Sequence, residues 1–232
     1  MNDFTRQLDI INPASLVYPI TCIGLGGIGS FTANTLRRMG FKDFTLYDHD
    51  LVESHNVPCQ DYDESDVGLP KVVALAQRMD KCFNDQKDIK TRHEKFENQP
   101  LEGIVISGVD SMSSRQAIWN AVRKSRSLIP LYIDGRIGIE WDEELQRVTG
   151  EWIEIFSIRP SLIDDVEFYE PCLFSDQEAA ELRCTAQSVV YVGNIISGLI
   201  AGNIKKWVCG DKHFRRHILY DVLTLDILHG SI

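Results

Sequence analysis

Two hydrophobic periodicities take turns along the first half of the chain. Pro19 to Leu25 (PITCIGL) is a short apolar run closed by glycines, the pattern of a strand buried on both faces. Gly29 to Met39 follows as a helix: Phe31, Thr35 and Met39 fall at helical spacing, Arg37 and Arg38 take the polar face, and Gly40 supplies the stop. Phe44 to Tyr47 reads as a second strand, closed by Asp48. Pro70, whose missing N–H costs nothing at a helix start, opens a helix to about Phe83. Ile104 to Val109 is a third apolar strand ending at Asp110, followed by a helix through about Arg126 and a strand from Leu128 to Ile133. Such alternation predicts parallel strands joined by helical crossovers. Ligands of such sheets bind beyond the carboxyl ends of the strands, where Gly24–Gly29, Asp48 and Asp110 all fall.

The second half has a different rhythm. Gly135 to Arg159 reads as antiparallel strands, with Gly150 between two strand-like runs in Gln146–Ile158. Ser161 to Arg183 is acidic and reads as a long irregular loop. Val189 to Trp207 is a strongly apolar helix with Lys205 and Lys206 at its negative end, and His217 to Leu228 alternates as a terminal strand. There is no internal repeat, linker or low-complexity run. The expected fold is α/β: a Rossmann-like, mostly parallel sheet with helices on both faces and antiparallel strands added in the C-terminal half. One domain spans 1–232.

Composition narrows the function. With 232 residues, 44% apolar and 25% charged, the chain is ordinary globular material and long enough to bury roughly 70–75% of its unfolded surface. Twenty-four basic residues against 34 acidic ones give a net charge of −10, which argues against nucleic acid or an anionic membrane as partner. The cysteines at 22, 59, 82, 172, 184 and 209 form no C-x-x-C pair, so no zinc is expected, and a chain this long has no need of a disulfide framework. Met1–Ile10 lacks the apolar core of a signal peptide. The most apolar stretch, Val189–Ile204, contains Asn194 and Asn203 and is too short to span a bilayer. The expected setting is the reducing cytoplasm.

The chemistry begins at Gly24-Leu25-Gly26-Gly27-Ile28-Gly29, set between a strand and a helix. Backbone amides at a helix N-terminus face phosphate there, and a Cβ would block the approach. Asp48, nineteen residues after Gly29, stands at the spacing of a ribose-binding acid. These features alone do not separate NAD from ATP. Gly68-Leu69-Pro70-Lys71 does more, because a lysine on the first turn of the next helix suits a triphosphate. Asp110 is placed to bind magnesium beside phosphate oxygens. Arg115, early in the following helix, has either a phosphate or an acid as its partner. His213-x-x-x-His217 brings no third ligand and reads as a solvated turn, and Trp119, Trp152 and Trp207 read as core.

Together GLGGIGS (24–30), DHDLV with Asn56 and Gln60 (48–60), GLPK (68–71) and VDSMSSR (109–115) resemble the ThiF/MoeB/HesA family, which activates ubiquitin-like and sulfur-carrier proteins. The resemblance covers roughly the first 135 residues and, more loosely, 185–207. It implies a nucleotide-binding half over 1–135 and a carrier-binding and dimerisation half over 136–232. It also implies ATP held by Gly24, Gly26, Gly27, Gly29, Asp48, Asp50, Asn56, Gln60, Lys71 and Arg115, with Mg2+ on Asp110. Arg6-Gln7 resembles the family's N-terminal Arg-Gln, whose arginine crosses a dimer interface, so the implied unit is a homodimer. The implied reaction converts the C-terminal carboxylate of a ubiquitin-like or sulfur-carrier protein, or of a peptide, into an acyl-adenylate. A thiol would carry any later step, and Cys184, just before the apolar helix, has the helix dipole to lower its pKa. Cys172 lies in acidic sequence that should raise its own. Two departures stand out: Cys59-Gln60 replaces the family's common Arg-Gln, and the paired C-x-x-C motifs are missing. Two other readings compete: a catalytically degenerate partner subunit that binds a ubiquitin-like protein, and an NAD-dependent oxidoreductase.

Overall fold

Among the described residues of this computed structural model (4–83, 87–176 and 189–228), eight strands form one sheet. In chain order they are β1 (Ile20–Ile23), β2 (Asp43–Tyr47), β3 (Asp88–Arg92), β4 (Ile104–Ser107), β5 (Leu131–Asp142), β6 (Arg147–Ile158), β7 (His217–Asp221) and β8 (Asp226–Leu228). Their spatial order is β3-β2-β1-β4-β5-β6-β7-β8. The first five run parallel, and β6, β7 and β8 then join antiparallel. The order reverses between β1 and β4, so a crevice opens beyond their carboxyl ends. The described α-helices are α1 (Gly29–Met39), α2 (Lys71–Asp80), α3 (Met112–Lys124), α4 (Ile163–Tyr169) and α5 (Val190–Val208).

Every residue of β1 and β4 is buried, as continuous apolar runs require when helices cover both faces. On one face Leu36 of α1, Leu75 of α2 and Ile200 of α5 pack on Ile20, Cys22, Leu46 and Ile106. On the other, Ile118 and Trp119 of α3 and Val166 and Tyr169 of α4 pack on Val105, Tyr132 and Phe156. The α/β architecture expected from the alternation is present, including helices on both faces and the antiparallel extension. Burial pushes the Cys22 thiol up to about 12, so it is core and not chemistry. None of the described helices is long and apolar enough to cross a membrane.

The local corrections have identifiable causes. The sequence pattern missed β3, whose residues DIKTR are mostly exposed; a charged edge strand carries no hydrophobic signal. Helix α2 ends at Asp80 rather than about Phe83. Arg37, expected on the polar face of α1, is fully buried: its Nη1 donates to the Phe41 carbonyl and its guanidinium lies 5.1 Å from the Phe83 ring. The Phe31–Thr35 side of α1 meets α5 instead, where the Thr35 and Ser197 hydroxyls are 2.7 Å apart. The run expected as an acidic loop from Ser161 contains α4 and a 3-10 turn, Glu170–Cys172. Asp164 and Asp165 open that helix, where acids suit the dipole, and Asp165 is buried in a bidentate pair with Arg159. Gly150 does not divide two strands; it lies inside β6 opposite Glu140, beside a bulge. The terminal strand is a hairpin, β7–β8, with Leu225 at φ 64 in its turn.

Candidate active site

The glycine loop closes tightly onto β4. Gly24 has φ +82, and a Cβ there would meet the Gly108 carbonyl at 2.8 Å. At Gly29 a Cβ would stand 1.9 Å from the Gly24 carbonyl, so both positions need glycine for the turn itself. Gly26 is different: a Cβ would meet only Gln60 Nε2, at 3.9 Å, so this glycine faces open space in front of the loop. Among the described residues, the backbone amides of Gly26 and Gly27 have no hydrogen-bond partner. Unpaired amides at the start of α1 form a ready anion seat. Helix α5 holds the loop from behind, its Gly193 so close to the Gly27 carbonyl that a Cβ would come within 2.6 Å. The sequence offered no sign that Gly193 supports the loop.

Asp48 directly follows β2 and is only 8% exposed. Its Oδ2 accepts from the Leu25 amide at 2.7 Å and its Oδ1 from the Asp50 amide at 2.8 Å. A carboxylate has about four acceptor sites, so roughly half its capacity is left for a ligand's hydroxyls. The loop from Leu51 to Pro70 then folds back on itself. Val52 N donates to Leu69 O, Gly68 N to Val52 O, and Lys71 N to Asp50 O, which returns the start of α2 to the end of β2. Lys71 is therefore buried, 6% exposed, with Nζ 2.9 Å from Asp50 Oδ2. Partial burial pushes the Asp50 carboxyl up, but the Lys71 hydrogen bond and charge, with His49 and His93, hold it below its ordinary value.

Two further side chains of this loop, Asn56 and Gln60, carry polar atoms beyond those the loop itself uses. Asn56 Oδ1 accepts from the Glu53 amide at 2.9 Å, which leaves its Nδ2 without a partner among the described residues. Gln60 lies over the glycine loop, and its Oε1 is buried with no hydrogen-bond partner among the described residues. Unsatisfied buried polar atoms are costly unless a ligand or water meets them. Tyr62, which sequence reading passed over, bolts the loop down by donating to the Leu25 carbonyl at 2.8 Å. Cys59 turns its Sγ to the His55 and Asn56 carbonyls, both at 3.5 Å. Burial raises its pKa, with the Lys71 charge working against that. Position 59 thus holds a half-buried thiol and not a cation.

Asp110 follows β4, exposed and without a partner among the described residues. Three candidate metal-ligand atoms gather instead at Asp48, His49 and Asp50, within 4.8 Å of one another, and Asp110 stands apart from them. Arg115 is already paired. Its Nε donates to Asp134 Oδ1 at 2.9 Å and its Nη2 to the Gly135 carbonyl at 3.3 Å, so of the two expected partners it takes the acid. Arg6 is remote. It is exposed in a 3-10 turn, Thr5–Gln7, whose Gln7 Nε2 donates to Met39 O at the C-terminal end of α1. The glycine loop is at the other end, about 16 Å along an eleven-residue helix. There Arg6 and Arg38 line an open groove of about 260 Å3 with Phe4, Gln7 and Phe83.

Cys184 lies outside the described residues. Cys172 is half-buried, and its pKa is raised, chiefly by burial and then by the charges of Glu154 and Asp134. His213 and His217 do not share a site, since His213 Nδ1 pairs with Asp211 and His217 Nε2 with Glu154.

Comparison with known proteins identifies the family and the fold. The family model described as ThiF family matches residues 17–231. The ubiquitin-like modifier-activating enzyme 5 of Culex quinquefasciatus is 33% identical over 126 residues, 47% of this chain and 32% of that protein. The Drosophila melanogaster protein of the same name is 31% identical over 128 residues, 47% of this chain and 31% of its own. The chain thus matches about a third of the length of these curated relatives. Among solved structures, E. coli MccB with ATP superposes with a TM-score of 0.69 at 17% identity, over 94% of this chain and 65% of that one. PaaA superposes with a TM-score of 0.68 at 15% identity, over 94% and 64%. At these identities the two structures bear on fold alone.

Proposed function

The chain belongs to the ThiF family, and from that membership we propose that it is an ATP-dependent adenylyltransferase acting on a carboxylate. Its substrate is the C-terminus of a ubiquitin-like or sulfur-carrier protein, or of a peptide. The observation that carries this proposal is one sheet edge that gathers free amides at Gly26 and Gly27, spare acceptor capacity on Asp48 and a buried Lys71. Amides and lysine suit phosphates, and Asp48 suits ribose hydroxyls. Asn56 Nδ2 and Gln60 offer the polar contacts between them.

In the proposed reaction a carboxylate oxygen attacks the α-phosphorus of ATP. The bond from that phosphorus to the bridging oxygen breaks, pyrophosphate leaves with the electron pair, and an acyl-adenylate forms. The carboxylate is already ionised, so no general base is needed. The obstacle is repulsion between two anions, and positioned cations lower it. Lys71 supplies one. Asp110 would hold magnesium: an exposed carboxylate without a partner among the described residues suits an ion that takes its other ligands from phosphate and water, not from a protein cage. When bound, that ion supplies charge neutralisation on the phosphate chain.

Arg6 belongs to this proposal in a homodimer. It stands at the far end of α1 from its own glycine loop, so it would serve the site of a second copy. Cys184 is proposed as the acceptor of a following transfer in the cytoplasm, with the carrier leaving AMP for the thiol. A degenerate partner subunit is the second reading, and the thiol of Cys59 in the place of a cation favours it. Exchange of labelled pyrophosphate into ATP separates the two. Exchange that appears only with a carrier ending in an exposed carboxylate tail supports adenylation. Nucleotide binding with no exchange, across carriers that bind the protein, supports the degenerate subunit.

A further inference from the structure

Asp110 is the proposed magnesium ligand, yet no side chain among the described residues orients it. Its place is set by the backbone that follows, the first turn of α3. There Ser111 caps the helix, its Oγ accepting from the Ser114 amide at 3.2 Å. The amides of Met112 and Ser113 are both taken by one atom from far along the chain, Asp176 Oδ1, at 2.6 and 3.1 Å. The Ser113 hydroxyl and amide and the Met112 amide hold the Asp176 carboxyl below its usual range.

The segment leading to Asp176 has anchors of its own. Glu170 accepts from Trp119 Nε1 at 3.2 Å and pairs with Arg123 at 3.5 Å, and the Cys172 carbonyl accepts from Arg136 Nη1 at 3.2 Å. Losing Asp176 would therefore free the start of α3 without releasing the segment as a whole.

We propose that Asp176 is a positioning residue for the magnesium edge: by tying down the Met112 and Ser113 amides it fixes the backbone that aims Asp110. Through it the C-terminal half reaches the nucleotide site without touching the nucleotide. This inference rests on the adenylation proposal, and its test separates the two.

The test compares wild type, Asp176→Ala and Asp176→Asn. Asparagine keeps an oxygen acceptor and caps helices as well as aspartate does. Amide hydrogen exchange without nucleotide reads the tether. Met112 and Ser113 should exchange faster in Asp176→Ala than in wild type, with Asp176→Asn near wild type. Mn2+ titration of each ATP-bound protein, followed by electron paramagnetic resonance, reads the metal edge. Asp176→Ala should bind about tenfold more weakly, the usual size of a supporting-residue effect on a metal site. Where pyrophosphate exchange is measurable, half-saturation in Mg2+ should rise by the same factor with kcat at saturating metal little changed. Unaltered Mn2+ affinity in Asp176→Ala, with the amide protection lost, would overturn the proposal. So would unchanged protection. Failure of pyrophosphate exchange in the wild type would sink the adenylation proposal while leaving the amide and Mn2+ readouts to decide this one.

Discussion

Two clusters of buried charge sit on this sheet, and they are built on opposite plans. Around Asp134, fully buried on β5, both carboxylate oxygens meet partners. Its Oδ1 takes Arg115 Nε at 2.9 Å, and its Oδ2 takes Arg136 Nε at 2.8 Å and the Tyr169 hydroxyl at 3.0 Å. Arg136 reaches on to Glu154, which His217 also contacts. Around Lys71 the plan is open. Among the described residues the ammonium has one carboxylate, on a half-exposed Asp50, while Gln60 Oε1, Asn56 Nδ2 and the Gly26 and Gly27 amides have no partner. Saturated charge holds elements together. Charge left short of partners is what a ligand completes.

Four substitutions would break or sharpen that contrast. Asp134→Ala should be the most damaging, because it strands two arginines in the interior. Breaking a buried pair costs about 3–5 kcal/mol, which at this size lowers Tm by about 6–20 °C. Calorimetry checks it, and nucleotide binding by the protein that stays folded should be preserved. Lys71→Ala should do the reverse: Tm moves little, while the pyrophosphate-exchange rate falls by about 10²–10³-fold, as for loss of one preorganised donor. Next, Gly26→Ala should leave Tm in place, since the added methyl meets nothing closer than 3.9 Å, yet raise KM for ATP on the order of tenfold, about 1.4 kcal/mol. A drop in Tm with unchanged KM would mean that Gly26 serves the turn and not a ligand.

The smallest effect is in acid. Lys71 lowers the Asp50 carboxyl below its unfolded value, so the pair contributes stability above about pH 4 that is lost as pH falls through the folded value. Asp50 is half-exposed, so the contribution is a few tenths of a kcal/mol at most. Asp50→Asn should flatten the acid limb of stability against pH by that amount, measured by denaturant unfolding from pH 6 to 3. A steeper limb in the variant would reverse the assignment of charge.

The open cluster was far more legible in the sequence than the saturated one. Glycines between an apolar strand and a helix, an acid at the next strand end and Gly-Leu-Pro-Lys are local signals, and all land on one edge. The Asp134 cluster is made by contacts across distant segments, and Arg115 consequently looked free for phosphate. One sign was present: Asp134 and Arg136, charged residues inside the apolar run Leu131–Ile137, must find partners once the strand is buried. Strand β3 was silent because edge strands are guarded by charge. On helix α1 the polar face was drawn too wide, because Arg37 enters the core through its stem and a ring contact. Nothing local marks Asp176, whose partners are 63 and 64 residues away.

The most direct measurement is thermal unfolding with Mg-ATP, ATP without magnesium, and NAD, on the wild type and on Asp110→Ala. Ligand at about 100 times its Kd adds roughly 2.7 kcal/mol of stability. A magnesium-dependent ATP shift that disappears in Asp110→Ala is the predicted result. Stabilisation by NAD alone, or an Mg-ATP shift indifferent to Asp110, would contradict the assignment of this edge as an adenylation site.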